Sequence, residues 1–377
     1  MKNYYITWLQ FISNKADKQR NRVYLMCATN VLVTATGGIV AQGIIKCFKL
    51  SNNQKKSNQC YKIIAVDTNA RAAGMYRSDA GILVPPVISP DYLDFIIKTC
   101  IENKIKAIFI GSEEELVALT LASKEIEEKT GSIVIANPSS VLTKTTDKWK
   151  TFEFLKQNNL PCADSALLED KEEFVKRYGF PLVVKPREGH GSMHFYLVEN
   201  MEELSYAVKA IVKAGWKPLL QEYLNGDSEF TSGITVNKSG KVMTSISMRK
   251  ILKSGQTYKA FIDDFRDVRQ SAEKVAMKIG ARGPINIQSK VVAGIPKIFE
   301  INGRISATCP LRAVAGINEP DVLFRNMVLG EDIKIDGYQR LVCMRYWNEV
   351  YIPYSSYEKA EQNKIIEPSE SFIPDYF

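Results

Sequence analysis

The sequence predicts a mixed α/β and α+β protein, with a parallel sheet in the first part of the chain and antiparallel pairing after it. Three observations carry this. Short apolar runs alternate with helical patterns up to about residue 136, later strand-like runs meet at turn-like residues, and the 377 residues suffice for two or three domains with a well-buried core. No internal repeat or low-complexity tract interrupts the pattern.

Residues 1–22 form an N-terminal extension with the aromatic-rich stretch Tyr4-Tyr5-Ile6-Thr7-Trp8-Leu9. Polar residues break it up, and Lys15, Lys18 and Arg20 follow, so it lacks the roughly 20 apolar residues of a membrane span and shows no small-residue cleavage site. A surface helix or an intersubunit contact is expected, with weak membrane-surface attachment left open.

Val31-Leu32-Val33-Thr34 reads as a buried strand running through Ala35-Thr36-Gly37-Gly38 into a helix from Ile39 to Phe48. Ile63 to Asp67, Ala107 to Ile110 and Ile133 to Ala136 are further apolar strands, separated by helical patterns from Tyr92 to Asn103 and from Glu114 to Lys129. That alternation implies a parallel sheet. A dinucleotide-binding domain is the rival reading, but Gly37-Gly38 followed by Gly43 does not make GxGxxG, and Asp67 stands too far along unless residues 51–60 are an inserted loop. Glu113 follows a strand's carboxyl end, where open sheets place ligands.

From Thr146 the period becomes helical, with Asp147 as N-cap and Trp149, Phe152 and Leu155 as an apolar stripe. Met201, Leu204, Val208 and Ile211 make another, capped by Asn200 with Glu203 three residues on. Both stripes read as core.

Between them, Leu182-Val183-Val184-Lys185-Pro186 leads into Arg187-Glu188-Gly189-His190-Gly191-Ser192. Glycines admit backbone N–H groups to an anion and lysine adds a point charge, which suits a triphosphate although GxxxxGK[ST] is absent. An ordinary glycine turn has the same composition. The strand Leu219 to Leu224 offers backbone groups to an adenine edge, and Glu229 can accept from two ribose hydroxyls at once; as solitary glutamates, Glu222 and Glu229 equally suit a solvated surface.

In Phe299-Glu300-Ile301-Asn302-Gly303-Arg304, alternation puts Glu300 and Asn302 on one face and Phe299 and Ile301 on the other. Asn286, Gln288 and Lys290 alternate likewise against Ile285, Ile287 and Val291, and Ala293-Gly294-Ile295-Pro296 joins the runs into a hairpin with one polar face. Hard oxygen ligands beside cations suit Mg²⁺ on nucleotide phosphates; a hairpin whose polar face meets water is the simpler alternative. Arg249-Lys250 and the loop Lys253 to Lys259 look like a basic rim for an anionic substrate. Beyond Glu331 the chain turns irregular, with Pro353, Pro368 and Pro374, and is expected to wrap around the fold.

Taken in order, Thr146-Asp147-Lys148, Val184 to Ser192, Gln221 to Leu224 with Glu229, Asn286 to Gln288 and Glu300 to Arg304 resemble the ATP-grasp superfamily. Within it the likeness is to carboxylate–amine ligases related to the carbamoyl-phosphate synthase large chain. It covers about residues 30 to 335 and implies a pre-ATP-grasp α/β domain at 23–140, a small lobe at 141–218, a large lobe with the metal site at 219–335 and a wrapping segment at 336–377. It further implies ATP and Mg²⁺ as cofactors, with Mn²⁺ a substitute. Lys148 and Lys185 would hold phosphates, with Ser192 in the phosphate loop. Glu222, Tyr223 and Leu224 would meet adenine, and Glu229 the ribose. Gln288, Glu300 and Asn302 would form the metal site, Arg304 would stabilise the moving phosphoryl group, and Thr36, Asp67 and the Gly111 to Glu115 loop would shape the acceptor site. Arg249 is a further catalytic candidate. One position departs: the synthases carry a second arginine three residues after the first, and here Ala307 stands there, which puts bicarbonate as the activated acid in doubt.

Composition fits. Lys plus Arg exceeds Asp plus Glu by 50 − 42 = 8, but the basic residues are scattered, which favours a phosphate-bearing ligand over a nucleic-acid surface. Seven cysteines without a CxxC pair point to free thiols in a reducing cytoplasm. His190 and His194, the two histidines of the chain, leave little room for a zinc site; His190 lies between two glycines of the phosphate loop. The expected function is an ATP-dependent ligase acting on a small carboxylate and an amine, possible as a homodimer, without nucleic acid or a transmembrane segment. A kinase-like protein with no amine acceptor, or a nucleotide-binding regulatory subunit, is the alternative.

Overall fold

The computed structural model describes residues 28–54, 59–189, 193–226 and 228–374. The N-terminal extension 1–22, His190 and Ser192 lie outside them. In the first sheet, β1 (Thr29–Val33), β2 (Tyr61–Asp67), β3 (Ala80–Leu83), β4 (Ala107–Phe109) and β5 (Ile133–Ile135) run parallel in the order β3-β2-β1-β4-β5. Their central residues, including Val31, Leu32, Ile63, Ile64 and Ile108, are fully buried, because helices α1 (Ile39–Gln54), α2 (Tyr92–Glu102), α3 (Glu113–Leu121) and α4 (Ser123–Thr130) cover the sheet. The single helix expected from Glu114 to Lys129 is α3 and α4, parted at Ala122. Strand β3 is not evident in the sequence. It is short and contains Gly81, where a Cβ would meet Ile366 and Met75 within 3.1 Å.

Helices α5 (Ser139–Thr145) and α6 (Lys148–Gln157) lead into a four-stranded antiparallel sheet, β6-β9-β7-β8, made of β6 (Ser165–Ala166), β7 (Leu182–Pro186), β8 (Tyr196–Val198) and β9 (Pro218–Glu222). It packs on α7 (Lys171–Tyr178) and α8 (Met201–Lys213). Asp147 and Asn200 cap α6 and α8 as expected, their side chains accepting from the N–H groups of Trp149 and Glu203. The apolar stripes are turned from the expected ones: α6 buries Thr151, Phe154 and Leu155, and α8 buries Leu204, Ala207 and Ile211 while Met201 is exposed.

The third sheet has the order β14-β13-β10-β11-β12-β15 and is antiparallel throughout: β10 (Glu229–Val236), β11 (Val242–Lys253), β12 (Gln256–Ile262), β13 (Pro284–Val292), β14 (Ile295–Asn302) and β15 (Leu341–Met344). One face packs on α9 (Arg266–Ile279) through Ile234, Ile285 and Val275. The other meets α10 (Cys309–Val314) and α11 (Glu319–Met327), which also pack on α1 of the first sheet. At this junction Arg312 is fully buried, donating to Glu319 Oε2 at 2.7 Å, Thr308 Oγ1 at 2.8 Å and Ser306 Oγ at 3.0 Å. Gly233 makes room for the pair, since a Cβ there would stand 2.1 Å from Glu319 Oε1.

The segment after Glu331 is not irregular. It supplies β15 to the third sheet, then α12 (Tyr354–Asn363) and β16 (Ile365–Ile366), which pairs antiparallel with β3. Among the described residues no helix is long and apolar enough to cross a membrane.

Candidate active site

A cavity of about 1070 Å³ lies where the three sheets meet. At its centre β13 and β14 pair Asn286 with Asn302 and Gln288 with Glu300, so these four side chains share a face, as alternation predicts. Gln288 Nε2 donates to Glu300 Oε2 at 3.0 Å and Asn302 Nδ2 to Glu300 Oε1 at 3.3 Å. The expected place of Phe299 is corrected. A bulge makes Ser289 face Ile298, so Ile298 joins Ile301 in the core and Phe299 turns into the cavity beside Glu300.

Cations surround this carboxylate. Lys185 on β7 is buried, and its Nζ donates to Gln221 Oε1 at 2.8 Å and to the Phe299 carbonyl at 3.4 Å. Burial lowers its pKa to about 8. Lys148 begins α6, donating its N–H to the Arg187 carbonyl and its Nζ to the Gly189 carbonyl, both at 2.8 Å. Burial alone would push the Glu300 carboxyl up, but Lys148, Lys185, Lys250 and Arg304 outweigh it and hold the group below the usual glutamate range.

Of the pair Arg249-Lys250, expected as a basic rim with Arg249 as the catalytic candidate, the structure brings Lys250 and not Arg249 to the cavity. Alternation along β11 points Arg249 away from the cavity, its guanidinium 4.1 Å from the Phe261 ring centroid, while Lys250 reaches Gln288 Oε1 at 2.5 Å and Glu229 Oε1 at 2.7 Å. The deciding signal is strand pairing: β10 sets Glu229 against Lys250 and Phe230 against Arg249.

Glu222, Tyr223, Leu224 and Glu229 also line the cavity. The Glu222 side chain is committed, accepting from Lys297 Nζ and the Asp164 N–H, both at 2.9 Å. Lys290 donates to the Leu224 carbonyl at 3.1 Å and lies 5.1 Å from the Tyr223 ring centroid. Arg304 sits just past the end of β14 and still reaches the cavity, donating to Asn302 Oδ1 at 3.4 Å and to Glu113 Oε1 at 2.6 Å. Glu113 therefore brings the first sheet's loops to the site. Gly37, Asp67 and Ser112 join it there, with the Gly37 N–H donating to Asp67 Oδ2 at 2.7 Å, whereas Thr36 is buried with its hydroxyl toward the Val66 carbonyl. Ser306, Thr308 and Arg345 complete that side, and no motif in the sequence singles them out.

Residues 217–348 match a family model described as "ATP-grasp in the biosynthetic pathway with Ter operon", and residues 38–135 match "PylC-like, N-terminal domain". The chain carries an ATP-grasp domain. Among curated relatives, the chain is 26% identical over 242 residues to the carbamoyl phosphate synthase large chain of Helicobacter pylori, covering 58% of the present chain and 22% of the relative. It thus spans about a fifth of that protein. Two solved structures share its fold. One is the biotin carboxylase domain of Hydrogenobacter thermophilus 2-oxoglutarate carboxylase with MgADP, ADP and bicarbonate (TM-score 0.64, 19% identity, 82% and 71% of the two chains). The other is the N5-carboxyaminoimidazole synthetase of Staphylococcus aureus with ADP (TM-score 0.64, 15% identity, 84% and 82%).

The donor set suits magnesium. Mg²⁺ bound with a nucleotide takes one or two carboxylates and completes its shell with phosphate oxygens and water. Here one ionised carboxylate, Glu300, stands between two amides whose side chains can reverse to present oxygen.

Proposed function

We propose that the chain is an ATP-dependent ligase that activates a carboxylate as an acyl phosphate and joins it to an amine, releasing ADP and phosphate. The observation that carries this reading is the set of Lys148, Lys185, Lys250 and Arg304 acting on Glu300 in one cavity that also opens onto the loops of the N-terminal sheet. ATP-grasp neighbours with ADP, magnesium and bicarbonate in their structures support it.

On this reading Lys148 and Lys185 meet phosphate oxygens, Glu222, Tyr223 and Leu224 the adenine, and Glu229 the ribose. Gln288, Glu300 and Asn302 hold Mg²⁺, which supplies charge neutralisation across the phosphates when bound. A carboxylate oxygen attacks the γ-phosphorus and ADP leaves; the amine nitrogen then attacks the acyl carbon, phosphate leaves, and the amine gives up a proton to water. Arg304 offsets the charge that builds on the phosphoryl group during transfer, and Lys250 holds Gln288 and Glu229 in place. Screening acid and amine pairs for ADP release, with mass measurement of the product, tests the reading. A product whose mass equals acid plus amine minus water supports it. ADP release without an amine would make the protein a phosphotransferase, and absence of ADP release across a broad panel would overturn it.

A further inference from the structure

Arg345 follows β15 and lines the cavity, yet nothing in the proposed chemistry uses it. Its NH1 donates to the Thr257 carbonyl at 3.2 Å and its NH2 to the Ala307 carbonyl at 2.8 Å. Among the described residues no carboxylate lies within ion-pair distance of this guanidinium, whereas Arg304 has Glu113, Arg312 has Glu319 and Arg187 has Asp147. Two backbone carbonyls fix the plane of the fork and leave its charge unneutralised. Lys46 and Arg77 add to the positive field: the Lys46 ammonium is lowered by burial first, then by Arg345 and Arg77. A half-buried guanidinium facing a cavity without a counter-charge is built for an anion that arrives with the ligand.

That anion is distinct from the carboxylate that reacts. The two partners of Arg345, Thr257 and Ala307, belong to β12 and to the turn after Arg304, not to the β13–β14 pair that carries Gln288, Glu300 and Asn302. The reacting oxygen must instead lie about 3 to 3.5 Å from the γ-phosphorus. The two ends are nonetheless bridgeable by one small molecule, because Ala307, whose carbonyl holds Arg345, is three residues from Arg304 and so within about 11 Å of it.

We propose that Arg345 is a specificity-determining residue that grips a second oxyanion, carboxylate or phosphate, on the substrate that fills the cavity beyond the nucleotide. The acid-activating reaction then selects for molecules with two anionic ends a few atoms apart. This inference rests on the ligase reading, and the experiment separates the two. Calorimetry measures MgADP binding first, then titrates succinate and inorganic phosphate separately into the MgADP-loaded protein, for wild type, Arg345→Gln and Arg345→Lys. Glutamine keeps neutral donors for the two carbonyls but removes the charge. We expect MgADP affinity unchanged within about twofold, and at least one of the two anions bound by wild type with a Kd below about 10 mM. Arg345→Gln should weaken that anion about tenfold or more, and Arg345→Lys should restore most of the loss. Whichever anion responds names the chemistry. Equal anion affinity in wild type and Arg345→Gln, or no anion binding to wild type, overturns the assignment. Failure of MgADP to bind wild type would overturn the ligase reading instead, and titration without nucleotide would still decide the role of Arg345. Melting curves guard the comparison: if Arg345→Gln unfolds, Arg345→Met takes its place, where loss of anion binding with MgADP affinity kept supports the grip and unchanged anion affinity counts against it.

Discussion

Lys185 is a cation in a place that disfavours charge. Burial brings its pKa to about 8, so the ligand-free protein carries an increasing fraction of neutral Lys185 as pH rises through that value. A phosphate oxygen binds only the charged form tightly, and binding raises the pKa again. MgADP affinity should therefore be flat below about pH 7.5 and fall by up to tenfold between pH 8 and 9.5. A guanidinium stays charged throughout that range, so calorimetry on a Lys185→Arg variant should show the decline removed; the same decline in the variant would assign the titration to another group. Arg304 makes a kinetic claim. If its guanidinium acts mainly as the phosphoryl group moves, Arg304→Lys should lower kcat about a hundredfold with little change in KM for ATP, and a raised KM alone would make it a binding residue. At this scale the sequence is legible where strand alternation is unbroken, as for Asn286, Gln288, Glu300 and Asn302. It misleads at Arg249, because two adjacent cations look alike until the partner strand says which faces Glu229.

Among the elements, the β13–β14 hairpin and α10 with α11 do most to shape the cavity. The bulge opposite Gln288 and Ser289 cannot be read from a run of alternating residues, since one extra residue inverts the face of everything before it. Hence alternation misplaces Phe299 while placing Glu300 correctly. Behind the hairpin, Arg312 and Glu319 share two hydrogen bonds out of contact with water, and Arg312 also holds Ser306 and Thr308, the start of the cavity's other wall. Gly233→Ala would push a methyl group into that pair and should cost about 3 kcal/mol or more, seen as a shift in the chemical-denaturation midpoint. Glu319→Gln leaves the guanidinium buried without its counter-charge and should cost a similar amount; a shift below about 1 kcal/mol in either variant would mean that the junction relaxes around the change.

On the scale of the whole molecule, the parallel sheet and its helices are legible because uninterrupted apolar strands alternate with helical patterns. The C-terminal segment is not. Its prolines suggest irregularity, and its strands are too short to register as periodic runs; only pairing with β12 and β3 makes them strands. Removing residues 353–377 takes away α12 and β16 and uncovers Met75, Tyr76 and Leu83, which pack with Ala360 and Ile366. The melting temperature should drop by about 5 °C or more, and an unchanged value would show that the segment adds no stability. The same arrangement has a consequence for synthesis. Until residues beyond 340 have left the ribosome, β12 and β3 each present an unpaired edge, and Arg345 has not reached the cavity. Until residues 341–366 emerge, the nascent chain thus exposes two sticky borders to neighbouring chains, and that one segment both closes those borders and delivers the guanidinium proposed to select the substrate.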